Sequence, residues 1–268
     1  MIRATILGCG SSGGVPRLGG HWGECDPANP RNRRRRCALL VERQAERGAT
    51  RVLIDTGPDL VAQLTDAGVG LLDAVVWTHA HADHLHGIDD LRQIVHNRRA
   101  MLPGWADAPT TAALRDRFGY VFETPPGSSY PPIVALNLID RPFTVDGAGG
   151  GVRMTPFTVD HGGIPALGFR IAADDTGAPA LVYLPDVLSI PEDAWPAIMD
   201  AEVFVCDALR RTPHPSHAHL ALTLDWIARS RARRAVITNM HIDLDHDAVA
   251  AETPAHVDPA HDGMVIVL

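Results

Sequence analysis

The chain has 268 residues, 46% of them hydrophobic and 21% charged, with a formal net charge of −8. That balance excludes a disordered or fibrous chain, and the acidic excess argues against bulk attraction to nucleic acid or anionic membranes. No apolar stretch approaches the roughly 20 residues that span a bilayer. The four scattered cysteines, Cys9, Cys25, Cys37 and Cys206, fit neither a disulfide framework nor a C-x-x-C clip, so a reducing, cytoplasmic setting is expected.

The opening MIRATILGCGSSGG lacks the apolar core and cleavage site of a signal peptide. It reads as a strand over 4–8 that runs into a glycine loop, GCGSSGGVPR, where backbone geometry is the first explanation and substrate lining the second. The run RNRRRR at 31–36 offers guanidinium forks for a phosphate, yet a solvated or interface segment balancing the acid excess is the favoured reading. Strands follow at 37–42 and 51–57, then a helix over 58–68 and a strand over 73–79. After the ligand-rich string WTHAHADHLHG, helical spacing returns over 88–99 and 111–119. The proline-rich TPPGSSYPP (124–132) is a loop and DGAGGG (146–151) a turn.

Four more strands fall at 151–159, 166–172, 180–186 and 202–208. A histidine-rich loop, TPHPSHAHLAL (212–222), leads into a helix over 220–231, and strands at 234–240 and 263–268 complete the chain. Many short strands with few helices predict an α/β protein in layers, with two mixed sheets face to face and helices outside, as a single domain over 1–268. Trp22, Trp105 and Trp195 sit in loop-like segments, where hydrophobic support and pocket walling explain them equally well.

The organising feature is where the polar residues fall. DTGPD, THAHADH, DHGG, PD and NMHIDLD each follow an apolar strand directly, so strand ends along one rim would bring them together. In an extended stretch residues two apart point the same way, so His79 and His81 can grip one ion. Asp83 and His84, where the chain turns into a helix, can face a second ion. Two cations about 3.5–4 Å apart clamp a hydrolytic displacement and acidify a shared water that bridges them. Further ligands are needed, and His161, Asp186 and His241 are the candidates. Each alone reads more simply as a surface histidine or a turn-forming acid. Four ligand-type residues in six positions do not arise for packing reasons, and that string raises the weight of the distant three.

LIDTGPD, then THAHADH, then a distant His, Asp and His, together resemble the metallo-β-lactamase superfamily, across nearly the whole chain. Within it, GCGSSGGVPR, HADHLHGIDDLR, PHPSH and HDGMVIVL resemble the branch containing the phosphoribosyl 1,2-cyclic phosphate phosphodiesterase. The resemblance implies a four-layer αβ/βα sandwich with a binuclear site on one rim. It implies that His79, His81 and His161 hold one ion, Asp83, His84 and His241 the other, and Asp186 bridges both. Asp55 would orient the ligand loop from behind, and His217 would be the active-site histidine, with His214 and His219 as spare candidates and Asp83 as a second catalytic group. Where relatives read T-H-x-S-H this chain reads TNMHID. Asn239 takes the histidine's place, and His241, two residues on along an expected strand, is the replacement of choice. A cysteine zinc clip found in some relatives retains only Cys25 here.

Imidazole and carboxylate ligands without thiolate suit Mn²⁺, Zn²⁺ or Fe²⁺. The expectation is therefore a binuclear metal-dependent phosphodiesterase acting on a small cyclic phosphodiester through a metal-bridging hydroxide. Its expected partner is a small molecule, not nucleic acid or membrane, and homodimerisation is the family habit. Hydrolysis of another ester or lactone, and a non-catalytic metal-binding accessory role, are the alternatives.

Overall fold

A computed structural model describes residues 1–175 and 177–268. Fourteen strands among them form two seven-stranded sheets. The first sheet contains β1 (Ile2–Gly8), β2 (Ala38–Ala45), β3 (Gly48–Ile54), β4 (Ala74–Val76), β5 (Leu102–Ala106), β6 (Val134–Leu138) and, at the other edge, β14 (Val265–Val267). The second holds β7 (Phe143–Val145), β8 (Val152–Asp160), β9 (Pro165–Ala173), β10 (Ala180–Leu184), β11 (Val203–Asp207), β12 (Arg234–Thr238) and β13 (Val257–Pro259). The orders are β14-β1-β2-β3-β4-β5-β6 and β13-β12-β11-β10-β9-β8-β7. Each sheet is mixed: antiparallel from β14 to β3 and from β7 to β10, parallel over the rest.

Alternation along the strands explains the layering. In β2, β3 and β4, Leu39, Val41, Val52, Ile54, Ala74 and Val76 join the core shared with the second sheet. Their neighbours Leu40, Leu53 and Val75 join a second core. That core is closed by Leu60 and Leu64 of α1 (Leu60–Asp66), Leu91 and Ile94 of a helix at 91–98, and Leu114 of a helix at 108–122. A strand buried on both faces must be apolar at every position, which is why these runs are continuous.

In chain order the remaining helices are α2 (Ala82–Leu85), α3 (Leu91–Arg98), α4 (Ala108–Phe122), α5 (Trp195–Ile198), α6 (Leu220–Ser230) and α7 (His246–Glu252). α4 begins three residues before its apolar periodicity does. Asp107 caps it by accepting from the Thr110 amide at 2.9 Å, and Pro109 fits its first turn.

The sequence pattern misses β5, β6, β7 and β13, all short, and the short helices α2, α5 and α7. β5 reads LPGWA, and Pro103 and Gly104 look like a turn. Gly104 is instead a close-packing residue, since a Cβ there would stand 2.6 Å from Val134 Cγ1 and 3.0 Å from Trp77 Cζ3. The tryptophans are core or bracing groups. Trp105 lies in β5 stacked on Phe143 at 5.3 Å, Trp195 is buried beneath the Arg229 guanidinium, and Trp22 packs on Val15, Cys25 and Ile242.

The arginine run is not uniformly solvated. Arg35 and Arg36 pair with Asp66 and Asp59 at 2.7 and 2.9 Å, as an acid-balancing role implies. Arg34 departs from that reading because it is buried. Its Nη2 donates to the Leu244 carbonyl (2.7 Å) and Asn32 Oδ1 (3.1 Å), and its Nη1 to the His241 carbonyl (3.4 Å). Buried in this way, it ties the early loop to the segment after β12.

The chain beyond β3 braces the loop beyond β4. The Thr56 amide donates to the His84 carbonyl, the Gly87 amide to the Thr56 carbonyl, and the Trp77 indole to Thr56 Oγ1, at 2.8, 2.8 and 2.9 Å. A Cβ on Gly87 would lie 2.1 Å from the Gly57 carbonyl oxygen, so the two loops meet backbone to backbone. Gly87→Ala is expected to lower stability by about 1–3 kcal/mol through overpacking. Urea unfolding of metal-free protein checks this, and an unchanged midpoint would show that the contact is not constrained.

Candidate metal centre

His79 follows β4, His161 follows β8 and Asp186 stands two residues past β10, so both sheets send strand ends to one place. One ligand-type atom from each of His79, His81, His161 and Asp186 can be chosen so that all lie within 4.8 Å of one another. Hydrogen bonds on the far side of the rings fix which nitrogen faces inward. Asp55 accepts from the Thr78 amide (2.8 Å) and hydroxyl (2.9 Å), and Thr78 Oγ1 in turn lies 3.0 Å from His79 Nδ1. The hydroxyl's hydrogen is committed to Asp55, so His79 Nδ1–H is the donor and its Nε2 carries the lone pair. Asp55 also accepts from His84 Nδ1 at 2.7 Å. His161 donates its Nδ1–H to the Ser216 carbonyl at 2.6 Å, and its Nε2 stands 3.1 Å from His81 Nδ1. Asp55 takes up a left-handed conformation (φ 67°) to do this double duty.

The two oxygens of Asp186 face different groups. Oδ2 is 3.6 Å from His79 Nε2 and 3.5 Å from His161 Nε2, whereas Oδ1 is 3.5 Å from His84 Nε2, itself 3.5 Å from Asp83 Oδ2. His79 Nε2, His84 Nε2 and Asp186 Oδ1 are buried without a hydrogen-bond partner. Two donors held at about 2.1 Å from one ion at a tetrahedral angle stand about 3.4 Å apart. The spacing therefore suits a divalent cation on each side of Asp186, and the donor set is one that Mn²⁺, Zn²⁺ and Fe²⁺ accept.

The electrostatics agree. Burial first, and the neighbouring imidazoles second, hold His79 well below the ordinary imidazole range. Burial likewise lowers His81 and His161. Burial pushes Asp186 up, but His84 and then His79 outweigh it and hold the carboxyl well below its usual range. His84 moves the other way. Burial lowers it, and the Asp186 and Asp55 carboxylates raise it well above its ordinary value.

Beside this cluster the loop between β11 and α6 supplies His217, whose ring centroid is 4.5 Å from that of His161. Its Nδ1 donates to Asp207 Oδ2 at 2.9 Å. Burial opposes charge on His217, but this bond and the Asp207 charge raise it to about 9, while burial pushes Asp207 up to about 7. Asp207 is fully buried and also accepts from the Val187 amide (3.0 Å) and Asn239 Nδ2 (3.1 Å). The same loop thus carries His217 and, through the Ser216 carbonyl, orients His161.

The expected replacement ligand, His241, has other side-chain contacts. β12 ends at Thr238, and Asn239 is left-handed with φ 60°, so the two-residue alternation that would return His241 to the ligand face is broken. His241 Nδ1 bonds Asp243 Oδ1 at 2.8 Å, and its Nε2 meets the Arg17 guanidinium. His214 lies against Ser216 and His217, and His219 is the N-cap residue of α6. The sequence reading overlooks Asp207, Thr78 and Arg17. Asp207 carried a signal, being an acid at the end of an apolar strand like Asp186. A cleft of about 940 Å³ beside the His161 loop is lined by Phe157, Ile164, Arg170 and Pro191 among others and includes no residue of the cluster.

Residues 50–242 match the family model described as the beta-lactamase superfamily domain. The crystal structure of a diphosphatase from the PhnP family is similar over 99% of this chain and 96% of that one, at 30% identity and a TM-score of 0.85. Zn²⁺-bound PqqB from Methylobacterium extorquens aligns over 99% and 100% of the two chains at 19% identity and a TM-score of 0.75, a likeness of fold. An octanoyltransferase from Porphyromonas gingivalis is 31% identical over all of this chain, which spans 52% of that protein's length.

Asp55→Asn should turn an amide NH₂ toward His84 Nδ1–H or lose one of the Thr78 bonds, freeing the ligand tautomer. Metal affinity is expected to fall about 10- to 100-fold with circular dichroism unchanged. Calorimetric titration measures it, and an unaltered affinity would remove Asp55 from the orienting role.

Proposed function

The chain belongs to the beta-lactamase superfamily domain family, and from that membership and the centre just described we propose that it is a binuclear metal-dependent hydrolase of a small, cyclic phosphodiester. The observation that carries the reading is the divided Asp186 carboxylate, one oxygen toward His79 and His161 and the other toward His84. His79, His81, His161 and Asp186 would hold one cation, and Asp83, His84 and Asp186 a second. Such ions supply a water acidified to near-neutral pKa and positive charge for the phosphoryl oxygens. The family named for the diphosphatase relative supports phosphorus as the centre attacked, and the net charge of −8 supports a small substrate over nucleic acid.

The chain's own groups take the proton work. His217, held charged by Asp207, delivers a proton to the departing oxygen, a step that contributes about 10²- to 10⁴-fold. Asp207 and Asn239 keep its ring in place. Asp83, partly open to solvent, doubles as ligand and proton acceptor. A second reading, acyl ester or thioester hydrolysis, is favoured by one observation, the octanoyltransferase name of a relative of which this chain spans about half.

Protein loaded with Mn²⁺ is expected to cleave bis(p-nitrophenyl) phosphate faster than p-nitrophenyl phosphate or p-nitrophenyl octanoate. His217→Ala should lower kcat about 10²- to 10⁴-fold at unchanged metal content. Fastest cleavage of the octanoate would transfer the proposal to acyl chemistry, and full metal loading without turnover would remove the catalytic reading.

A further inference from the structure

Away from the metal centre, a cavity of about 250 Å³ lies between the C-terminal part of α1 and the β14–β1 edge of the first sheet, and it includes no residue of the metal centre. Arg3, Thr5 and Leu7 alternate onto one face of β1, and Val265 of β14 stands opposite Thr5. That face is only partly covered, so Val265 stays 41% exposed. The space falls below the ~300–1,000 Å³ of drug-sized ligand sites, so it admits only a small molecule.

Its polar walls are fixed in place but not satisfied. Gln63 is 2% exposed; its Nε2 donates to the Arg36 carbonyl at 2.9 Å, while its Oε1 is buried with no donor. Arg3 buries its Nε without a partner and has no ion pair among the described residues. Glu42, opposite it in β2, is held by Arg51 at 2.9 Å. Asp66 pairs with Arg35 at 2.7 Å, and Asp262 accepts the Cys9 and Arg35 amides at 3.2 and 2.8 Å. Burial pushes the Asp262 carboxyl up to about 6. An orphaned acceptor and an uncompensated guanidinium each cost free energy until a ligand or water meets them.

The two kinds of wall ask for opposite partners. The Arg3 fork matches a carboxylate. Gln63 Oε1 accepts only, so it calls for an N–H donor, and the Asp66 and Asp262 carboxylates favour that donor being positive and repel a plain anion. Leu7 and Val265 add an apolar wall. We propose that this cavity binds a small aliphatic α-amino acid, its carboxylate on Arg3 and its ammonium group on Gln63 Oε1 and the acidic wall. Such binding needs no ion in the metal centre and no turnover there.

Calorimetric titration of the whole chain with L-alanine and L-valine tests this. At least one of them is expected to bind, and propionate and ethylamine, which each keep one end of L-alanine, to bind about tenfold or more weakly. Arg3→Gln should weaken amino-acid binding by about tenfold or more with circular dichroism unchanged. Gln63→Met should do the same, and if that buried change disturbs folding, the half-buried Arg3→Gln decides alone. No heat from either amino acid would leave the cavity to water and overturn the inference. Propionate binding as tightly as the amino acid would also overturn it, as would an affinity unchanged in Arg3→Gln, the result expected if the amino acid merely chelated ions in the metal centre.

Discussion

A carboxylate buried among three imidazole nitrogens is the constraint on which the site depends. Asp186 is 3% exposed, and its neighbours at 3.5–3.6 Å are the Nε2 atoms of His79, His84 and His161. Removing an anion from water without a compensating charge costs several kcal/mol. A divalent cation between the donors would supply that charge. The fold holds this arrangement because neither sheet builds it alone. The first contributes His79, His81 and His84 with Asp55 behind them, and the second contributes His161, Asp186 and the Asp207–His217 pair.

The two sheets have the same plan, an antiparallel run passing into a parallel one, and the parallel strands deliver their C-terminal ends to the rim. Asp55 and Asp207 occupy related places in it. Each is a fully buried acid at or just past a strand end, and each accepts one backbone amide and orients a histidine. The ligands are thus held by groups which are themselves fixed by backbone hydrogen bonds.

Much of this was legible in the sequence because it is encoded locally. Continuous apolar runs mark strands buried on both faces, and the change to histidine or aspartate at their ends marks the rim. His161 and Asp186 sit in otherwise ordinary turns, yet the repeated strand-end pattern was enough to nominate them. Legibility failed where a single backbone angle decides. The strand expected to run to residue 240 stops at Thr238, because Asn239 is left-handed. It failed again at Arg34, which a charge-pattern argument places in solvent and the fold buries as a tie between two loops. Short edge strands such as LPGWA were invisible because their glycine serves packing and reads as a turn.

The most direct test of the central claim is the anomalous scattering of a Zn²⁺- or Mn²⁺-loaded crystal collected at the metal's absorption edge. The account predicts a peak among His79, His81, His161 and Asp186, with ligand distances of about 2.0–2.2 Å. Metal found elsewhere, for instance between His241 and Asp243, with Asp186 uncoordinated, would contradict it.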